Sequence, residues 1–278
     1  MGNEKASELC PLYIQKNSLG LPGARVFNFP SVVSHRRGVK NLDGVYVFDD
    51  FHWLAASGDG EAGSPWALHN GADAQALDPV VVAAAEEGKI VLTTGNVGDT
   101  FANDNSQIVC KVPMQADSGN LVFETRLHIN TAVTNISLYA GFTDIITADE
   151  EPMSHATTSL TTNCTDGVGF LYDTASTVDN WICAAVDGNT DDFGHSDPST
   201  VPVADVYQTL RFEVPTSGTG IKFWIDGVLV KTLTGAGVSP DVSLYATIAA
   251  CATTTTSKTV DVDYIYCGCD YSRTWYHY

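Results

Sequence analysis

The stretch LVFETRLHI, residues 121–129, alternates apolar and polar side chains along its whole length. Successive side chains of an extended chain point to opposite faces, so Phe123 and Leu127 share one face while Glu124 and Arg126 share the other. The pattern predicts a β-strand with one face in a hydrophobic core and the other face in water.

Two neighbouring patterns in the sequence extend this prediction. The segment TLRFEV, residues 209–214, repeats the alternation. The segment IKFWIDGVLVKTL, residues 221–233, has alternating runs on both sides of Asp226 and Gly227. An Asp-Gly pair supplies the positive φ angles of a two-residue turn, so this segment predicts a β-hairpin.

Short apolar runs of the same kind recur along most of the chain, separated by clusters of Gly, Asp, Asn, Pro and Thr. Residues 78–88 fit a helix and a strand equally well. About a dozen predicted strands leave little room for helix, so the sequence predicts an all-β fold. The further predicted strands are residues 45–51, 89–94, 106–112, 136–142, 167–173, 181–186, 243–250 and 259–267.

The sequence divides into three parts. Residues 1–44 lack sustained alternation and are interrupted by Pro and Gly, which predicts an extended N-terminal arm. Residues 45–270 contain the predicted strands. Residues 271–278, YSRTWYHY, form an aromatic C-terminal tail that we expect to dock either on its own sandwich or on a partner.

Charge is distributed unequally between these parts. Residues 1–40 carry six basic and two acidic residues, a net charge of +4, whereas the remainder carries eight basic and 31 acidic residues, a net charge of -23. An acidic body repels nucleic acid and anionic membranes, while a basic arm is attracted to an acidic protein surface. We therefore expect neither a nucleic-acid nor a membrane partner. Glu4 and Glu8 stand where a signal peptide would be apolar, so we also expect no secretion.

Eight segments of the chain carry a resemblance to known proteins. They are LVFETRLHI (121–129), GFTD (141–144), EEPM (150–153), DGVGFLYDT (166–174), DNW (179–181), YQTLRFEV (207–214), FWIDGVLV (223–230) and VDVDYIY (260–266). Together they resemble tailed-phage virion proteins with concanavalin A-like (LamG/lectin-like) jelly rolls, in which FE-x-R-L, GF-T, G-x-GF-x-x-D, L-R-x-E-V and F-x-I-DG-V motifs recur in this order. The resemblance covers about residues 45–270 and implies an antiparallel jelly-roll β-sandwich with about six strands in each sheet. It also implies a role as capsid decoration or cement protein, head fibre or tail attachment protein.

The sequence lacks the carboxylate pattern of glycoside hydrolases with this kind of sandwich. Those enzymes place two carboxylates at alternate positions of one strand, in a spacing such as Glu-x-Asp-x-x-Glu. Here Glu124 is followed two positions later by Arg126, and Asp261 and Asp263 are not followed by a third carboxylate. We therefore predict that the protein is not an enzyme and has no catalytic residues.

The sequence also offers weak candidates for metal binding. Cys267 and Cys269 form a close pair, but no second Cys or His pair completes a zinc site. The acidic loops 144–151 and 187–197 are rich in oxygen ligands but do not match a calcium-binding frame. We expect no metal and no cofactor, and most of the seven cysteines to be free and buried.

Carbohydrate binding is the function that such a sandwich most readily permits, through an exposed aromatic ring stacked on a sugar. The candidate residues are Trp181, its neighbours Asp179 and Asn180, and Trp224 on the non-core face of its hairpin. The alternative is that each Trp packs against the second sheet or a neighbouring subunit.

Our leading hypothesis from the sequence is a non-enzymatic virion protein that decorates the phage head shell. The alternative is a lectin-like module that binds carbohydrate or a receptor at a tail or head fibre. The expected partners are the major capsid protein or other virion subunits, further copies of this chain and a surface glycan, in a virion assembled in the host cytoplasm. The residues expected to dock on a partner are Lys5, Lys16, Arg25, Phe27, Phe29, Arg36, Arg37, Lys40, Tyr271, Trp275, Tyr276 and Tyr278.

Overall fold

The computed structural model confirms the predicted fold class, an antiparallel jelly-roll β-sandwich. It describes residues 25–28, 44–49, 51, 65–82, 88–98, 100–148, 150–195, 200–235 and 237–270. Strands account for most of these residues, and the helical elements are α1 (Phe101–Asp104) and a 3-10 turn (Ala116–Ser118). None of the helices in the described residues is long and apolar enough to span a membrane.

The strands are numbered in chain order. They are β1 (Arg25–Asn28), β2 (Gly44–Asp49), β3 (Trp66–Asn70), β4 (Leu77–Val81), β5 (Ile90–Thr93), β6 (Asn105–Cys110), β7 (Leu121–Ile129), β8 (Ile136–Thr143), β9 (Met153–Ala156), β10 (Ser159–Thr162), β11 (Gly167–Asp173), β12 (Ile182–Asp187), β13 (Thr190–His195), β14 (Gln208–Val214), β15 (Ile221–Ile225), β16 (Val228–Leu233), β17 (Tyr245–Ala252) and β18 (Thr259–Asp270).

Two sheets form the sandwich. Sheet A has the order β1-β2-β18-β7-β14-β15-β16. Strand β5 also pairs with β18, and β4 pairs with β5. Sheet B has the order β13-β12-β11-β8-β17-β6-β3, and a separate hairpin pairs β9 with β10. Among the described strands, the chain passes from one sheet to the other on both sides of β3, from β5 to β6, from β6 to β7, from β7 to β8, from β13 to β14, and on both sides of β17. Several neighbouring strands are therefore distant in the chain, such as β2 beside β18 and β6 beside β17, whereas β11–β13 and β14–β16 are consecutive neighbours.

The core between the sheets centres on five phenylalanine rings. Phe123 and Phe212 of sheet A stack with their centroids 5.2 Å apart. Phe142 of sheet B meets Phe123 edge-on at 5.9 Å, and Phe170 meets Phe223 edge-on at 5.2 Å. All five are fully buried. Aromatic pairs in such offset and edge-on arrangements add to the stabilisation that burial alone provides.

The strongest sequence predictions are confirmed in detail. Strand β7 spans residues 121–129, and its side chains alternate between buried and partly exposed along the whole strand. The turn between β15 and β16 is built by Asp226 and Gly227, whose φ angles are +49° and +77°. The Asp226 carboxylate also accepts a hydrogen bond of 2.8 Å from the Thr209 amide, which ties this hairpin to the start of β14.

Other segments correct the sequence analysis. Residues 77–81 form strand β4, so the helical alternative is wrong at the start of segment 78–88. The strands β3, β9, β10 and β13 were missed, because they are short and β10 and β13 lack apolar alternation. The sheets contain nine and seven strands within the described residues, more than the six each that the resemblance implied.

Part of the predicted N-terminal arm pairs with the sandwich. Strand β1 lies antiparallel to β2 at one edge of sheet A. The remaining residues of the arm and the tail 271–278 lie outside the described residues. The proposed division into arm, sandwich and tail therefore stays a prediction.

Candidate functional site

The outer face of sheet A carries the polar side chains of the alternating strands. Because the inward residues of β7, β14, β15 and β18 fill the core, the intervening residues point outward. This face therefore presents charged and aromatic side chains that the core does not use. Charged and aromatic side chains that are not needed for packing are the first place to look for a binding site.

Six of these side chains are aligned across the sheet by strand register. Phe48 pairs with Tyr266, Tyr266 with Glu124, Glu124 with Arg211, Arg211 with Trp224, and Trp224 with Leu229. We call this set the transverse row. It crosses β2, β18, β7, β14, β15 and β16 in turn, so the chain contributes one residue from each of six strands.

The rings of the row are partly exposed. Phe48 is 36% exposed, whereas Tyr266 and Trp224 are partly buried. Tyr266 stacks beside Tyr46 with ring centroids 6.1 Å apart and an interplanar angle of 16°. The ring centroids of Phe48 and Tyr264 are 5.9 Å apart. The prediction that Trp224 lies on the non-core face is confirmed, since its neighbours in β15 belong to the core and it does not.

An ion-pair network occupies the centre of the row. Arg211 contacts Glu124 at 2.9 Å and Glu213 at 2.5 Å. The second carboxylate oxygen of Glu124 accepts a hydrogen bond of 2.8 Å from the Tyr264 hydroxyl. Burial, together with this bond, raises the pKa of Tyr264 to about 12. Arg126 pairs with Asp263 at 2.6 Å and does not pair with Glu124.

A second polar cluster lies on the same face where β7 ends. The Asp261 carboxylate is 4% exposed and pairs with the Lys89 ammonium. It also accepts a hydrogen bond of 2.7 Å from Asn130 and lies 3.5 Å from His128. The hydrogen bond with Asp261 raises the pKa of Lys89. Asp261 and Asp263 are thus each held by a cation.

The outer face of sheet B is covered by the chain itself. Gln107 donates a hydrogen bond of 3.1 Å to the Thr147 carbonyl, and Asn105 donates one of 2.9 Å to the Ala148 carbonyl. Hairpin β9–β10 follows this loop, and Met153 packs into a second apolar cluster on the face. We call residues 144–148 and 150–162 the cover. The buried members of the second cluster are Tyr139, Met153, Cys164, Leu171, Ile182, Ala184 and Val186.

Two carboxyl groups lie where the cover meets sheet B, namely Glu151 of the cover and Asp173 at the end of β11. The Ser137 hydroxyl donates a hydrogen bond of 2.5 Å to Glu151, and burial raises the pKa of Glu151 to about 7. The nearby charge of Asp173 acts in the same direction. Burial also raises the pKa of Asp173, whose oxygens accept hydrogen bonds from the amides of Ala175 and His155 at 2.8 and 3.3 Å. The sequence indicates Glu151 only as part of an acidic loop, and its proximity to Asp173 is visible only in the structure.

One candidate carbohydrate-binding residue is buried. Trp181 is 1% exposed and belongs to the core, where its ring packs on Phe170 and Tyr172. Its indole nitrogen donates a hydrogen bond of 2.9 Å to Gln208. The prediction that Trp181 stacks on a sugar is therefore wrong, because the ring has no exposed face. Asp179 is exposed and Asn180 partly exposed, just before β12.

The predicted docking residues fall mostly outside the described residues. The backbone of Arg25 and Phe27 lies in β1. Their predicted contacts with a partner stay predictions. The docking residues outside the described part of the chain are Lys5, Lys16, Phe29, Arg36, Arg37, Lys40, Tyr271, Trp275, Tyr276 and Tyr278.

The acidic loops and the close cysteine pair do not assemble a metal site in the part of the chain that the structure describes. This part contains no group of three or more His, Cys, Asp or Glu side chains placed to hold an ion. Cys267 and Cys269 both face the core, and the Cys269 thiol donates to the Gln115 carbonyl at 3.2 Å. The six described cysteines are all buried.

Comparison with known proteins identifies the fold. No family model and no curated protein matches the chain. A native glycosidic hydrolase aligns with 80% of this chain and 94% of its own, at a TM-score of 0.52 and 13% identity. A family 16 glycoside hydrolase of Bacteroides ovatus aligns with 79% of this chain and 98% of its own, at a TM-score of 0.54 and 10% identity.

The carbohydrate recognition domain of Emp47p aligns over 76% of this chain and 91% of its own, at a TM-score of 0.50 and 12% identity. At such low identities, likeness to these structures shows the fold alone. The chain is a concanavalin A-like jelly-roll sandwich.

Proposed function

We propose that this protein is a lectin-like carbohydrate-binding module that holds its ligand on the transverse row. The observation that carries this proposal is the alignment of Phe48, Tyr266 and Trp224 on one face, with the Glu124–Arg211 pair between them. The apolar face of a sugar ring stacks on an aromatic ring, and carboxylate and guanidinium groups bond its hydroxyls. The Emp47p carbohydrate recognition domain shares this fold, so the fold permits this class of function.

The proposal also holds that the face does not catalyse. Arg211 contacts Glu124 and Glu213, and Lys89 and Arg126 bind Asp261 and Asp263. A carboxylate held in an ion pair is directed at its partner, so it is not positioned to donate a proton to a leaving oxygen. Glycoside hydrolysis needs one carboxyl group that keeps its proton until the leaving oxygen takes it.

A glycan array tests the proposal directly. We expect the purified protein to bind one or more neutral glycans, and Trp224→Ala and Tyr266→Ala each to reduce the signal at least tenfold. Tyr245→Ala is the matched control, because Tyr245 is a half-buried tyrosine in β17 of the other sheet. Binding that survives both changes, or that is lost equally in the control, would contradict the proposal.

Glycoside hydrolysis is the second candidate, favoured by Glu151 and Asp173. Burial raises the pKa of both acids, and perturbed acids in proximity are typical of catalytic sites. The cover weighs against this candidate, since both carboxyl groups are bonded within the chain. Turnover of a polysaccharide that Glu151→Gln abolishes would establish it, and an inactive wild-type protein would remove it.

We also propose, from the resemblance, that the module acts on a virion, attached to the major capsid protein or another virion subunit. The observation in favour is the charge division between the basic residues 1–40 and the acidic remainder. Counting copies per particle by cryo-electron microscopy tests this role. Hundreds of copies would indicate shell decoration, and a few copies would indicate a tail or fibre. If particles contain no copies, the virion role is excluded.

A further inference from the structure

The transverse row is long enough to contact several sugar residues. It crosses six strands, and neighbouring strands lie about 4.8 Å apart, so its ends are about 24 Å from each other. This strand spacing is close to the length of one hexose residue in an extended chain. A polysaccharide laid across the strands would therefore place successive sugars over successive members of the row.

The order of side chains within the row separates stacking positions from hydrogen-bonding positions. Phe48 and Tyr266 lie side by side at one end. Trp224 lies three strands beyond Tyr266, so three strand spacings, about 14 Å, separate the two residues. Glu124 and Arg211 fill the two positions between the rings. A ligand that stacks on both Tyr266 and Trp224 must therefore span about four sugar residues.

Charge on this face favours a neutral ligand. Arg211 is held by Glu124 and Glu213, and Arg126 is held by Asp263, so both central cations are paired. The whole chain carries a net charge of -19. The negative charge of the protein would repel an acidic polysaccharide, and the paired arginines of this face would not offset that repulsion.

We propose that the outer face of sheet A binds a linear, neutral polysaccharide whose chain runs across the strands along the transverse row. This inference rests on the proposed carbohydrate-binding function and specifies the length and class of the ligand. About four consecutive sugars are needed to reach from Tyr266 to Trp224. A single terminal sugar reaches one ring alone and gains little from the rest of the row.

Calorimetric titration with oligosaccharides of increasing length tests the inference. The probes are β-1,4-linked and β-1,3-linked glucose chains of one to six residues, with uronic acid chains of the same lengths for comparison. We expect affinity to rise at least tenfold between two and five residues and to level off by six. Uronic acid chains should bind at least tenfold more weakly than neutral chains of equal length.

Variants distinguish binding along the whole transverse row from binding at one small site. Trp224→Ala should remove most of the gain in affinity between two and five residues, because a longer chain then has no second ring on which to stack. Tyr245→Ala should leave the whole length series unchanged.

The outcomes separate this inference from the proposed function. Equal affinity for one sugar and for six would overturn the inference and leave carbohydrate binding intact. Tighter binding of the uronic acid chains would overturn the neutral class. Binding of none of these probes, together with an empty glycan array, would overturn both the inference and the proposed function.

Discussion

The two outer faces of the sandwich differ in what covers them. Strands β7 and β14 of sheet A alternate buried and partly exposed residues, so their outer face meets solvent. Strands β8 and β11 of sheet B are buried at every position, and the cover lies over them. A strand that is apolar on both faces needs a second layer, whereas an alternating strand does not. The openness of each face therefore follows from the pattern of its own strands.

The largest expected difference between the faces is in packing energy. Leu171 is 1% exposed beneath the cover, whereas Leu229 at the end of the transverse row is 51% exposed. Leu171→Ala should lower the free energy of unfolding by about 2–5 kcal/mol, and Leu229→Ala should change it by less than about 0.5 kcal/mol. Urea denaturation of both variants measures the difference. Equal losses would show that the cover does not pack as described.

The second difference is in pH dependence. Because burial raises the pKa of Glu151 to about 7, the folded state holds a proton that the unfolded state has already released above its ordinary pKa of 4.5. The unfolded state then binds fewer protons, so stability falls as the pH rises from 4.5 to 7 and stays at its lower level above 7.

Glu151→Gln should remove this fall, and its advantage over the wild type at pH 8 should be about 1–3 kcal/mol, since one pKa unit corresponds to about 1.4 kcal/mol. Thermal unfolding at pH 5 and pH 8 measures it. Glu213→Gln on the open face is the control and should leave the slope between these pH values unchanged. A variant that keeps the full slope would place the titrating group elsewhere.

A third expected effect concerns the buried carboxylate on the open face. Asp261 binds Lys89, Asn130 and His128 although its carboxylate is 4% exposed. Asp261→Asn should cost about 1–3 kcal/mol, because the amide keeps one acceptor oxygen but lacks the negative charge that pairs with Lys89 and the second acceptor oxygen. Chemical denaturation at neutral pH measures the cost. A loss below about 0.5 kcal/mol would mean that water replaces the carboxylate at no penalty.

The smallest expected effect is at the exposed ion pair of the transverse row. The side chain of Glu213 is 42% exposed where it contacts Arg211. Glu213→Gln should cost no more than about 1 kcal/mol, and the difference should shrink as salt screens the pair. Unfolding measured at low and high ionic strength checks both points. A larger, salt-independent loss would show that Glu213 supports the row structurally.

The outward direction of a Trp side chain can be predicted from the sequence for Trp224 but not for Trp181. Trp224 lies between core residues of an alternating strand, so its outward direction followed from its neighbours. Trp181 precedes a strand that is apolar throughout, and no local pattern shows which way such a residue points. Its burial against Phe170 and Tyr172 arises from packing across the sandwich. The pair Glu151 and Asp173 was missed for the same reason, since 22 positions separate them in the chain.

The sequence by itself determined the all-β class, the strand at residues 121–129, its inward and outward faces, and the hairpin at Asp226 and Gly227. These features are local, because a period of two residues and the conformation of one turn depend on near neighbours alone. Tertiary structure decided the strand order, the cover over sheet B and the transverse row. Phe48, Glu124 and Trp224 are aligned by the register of strands that are distant in the chain. Alternation indicates which side of a sheet a residue occupies, but pairing between strands chooses its neighbours there.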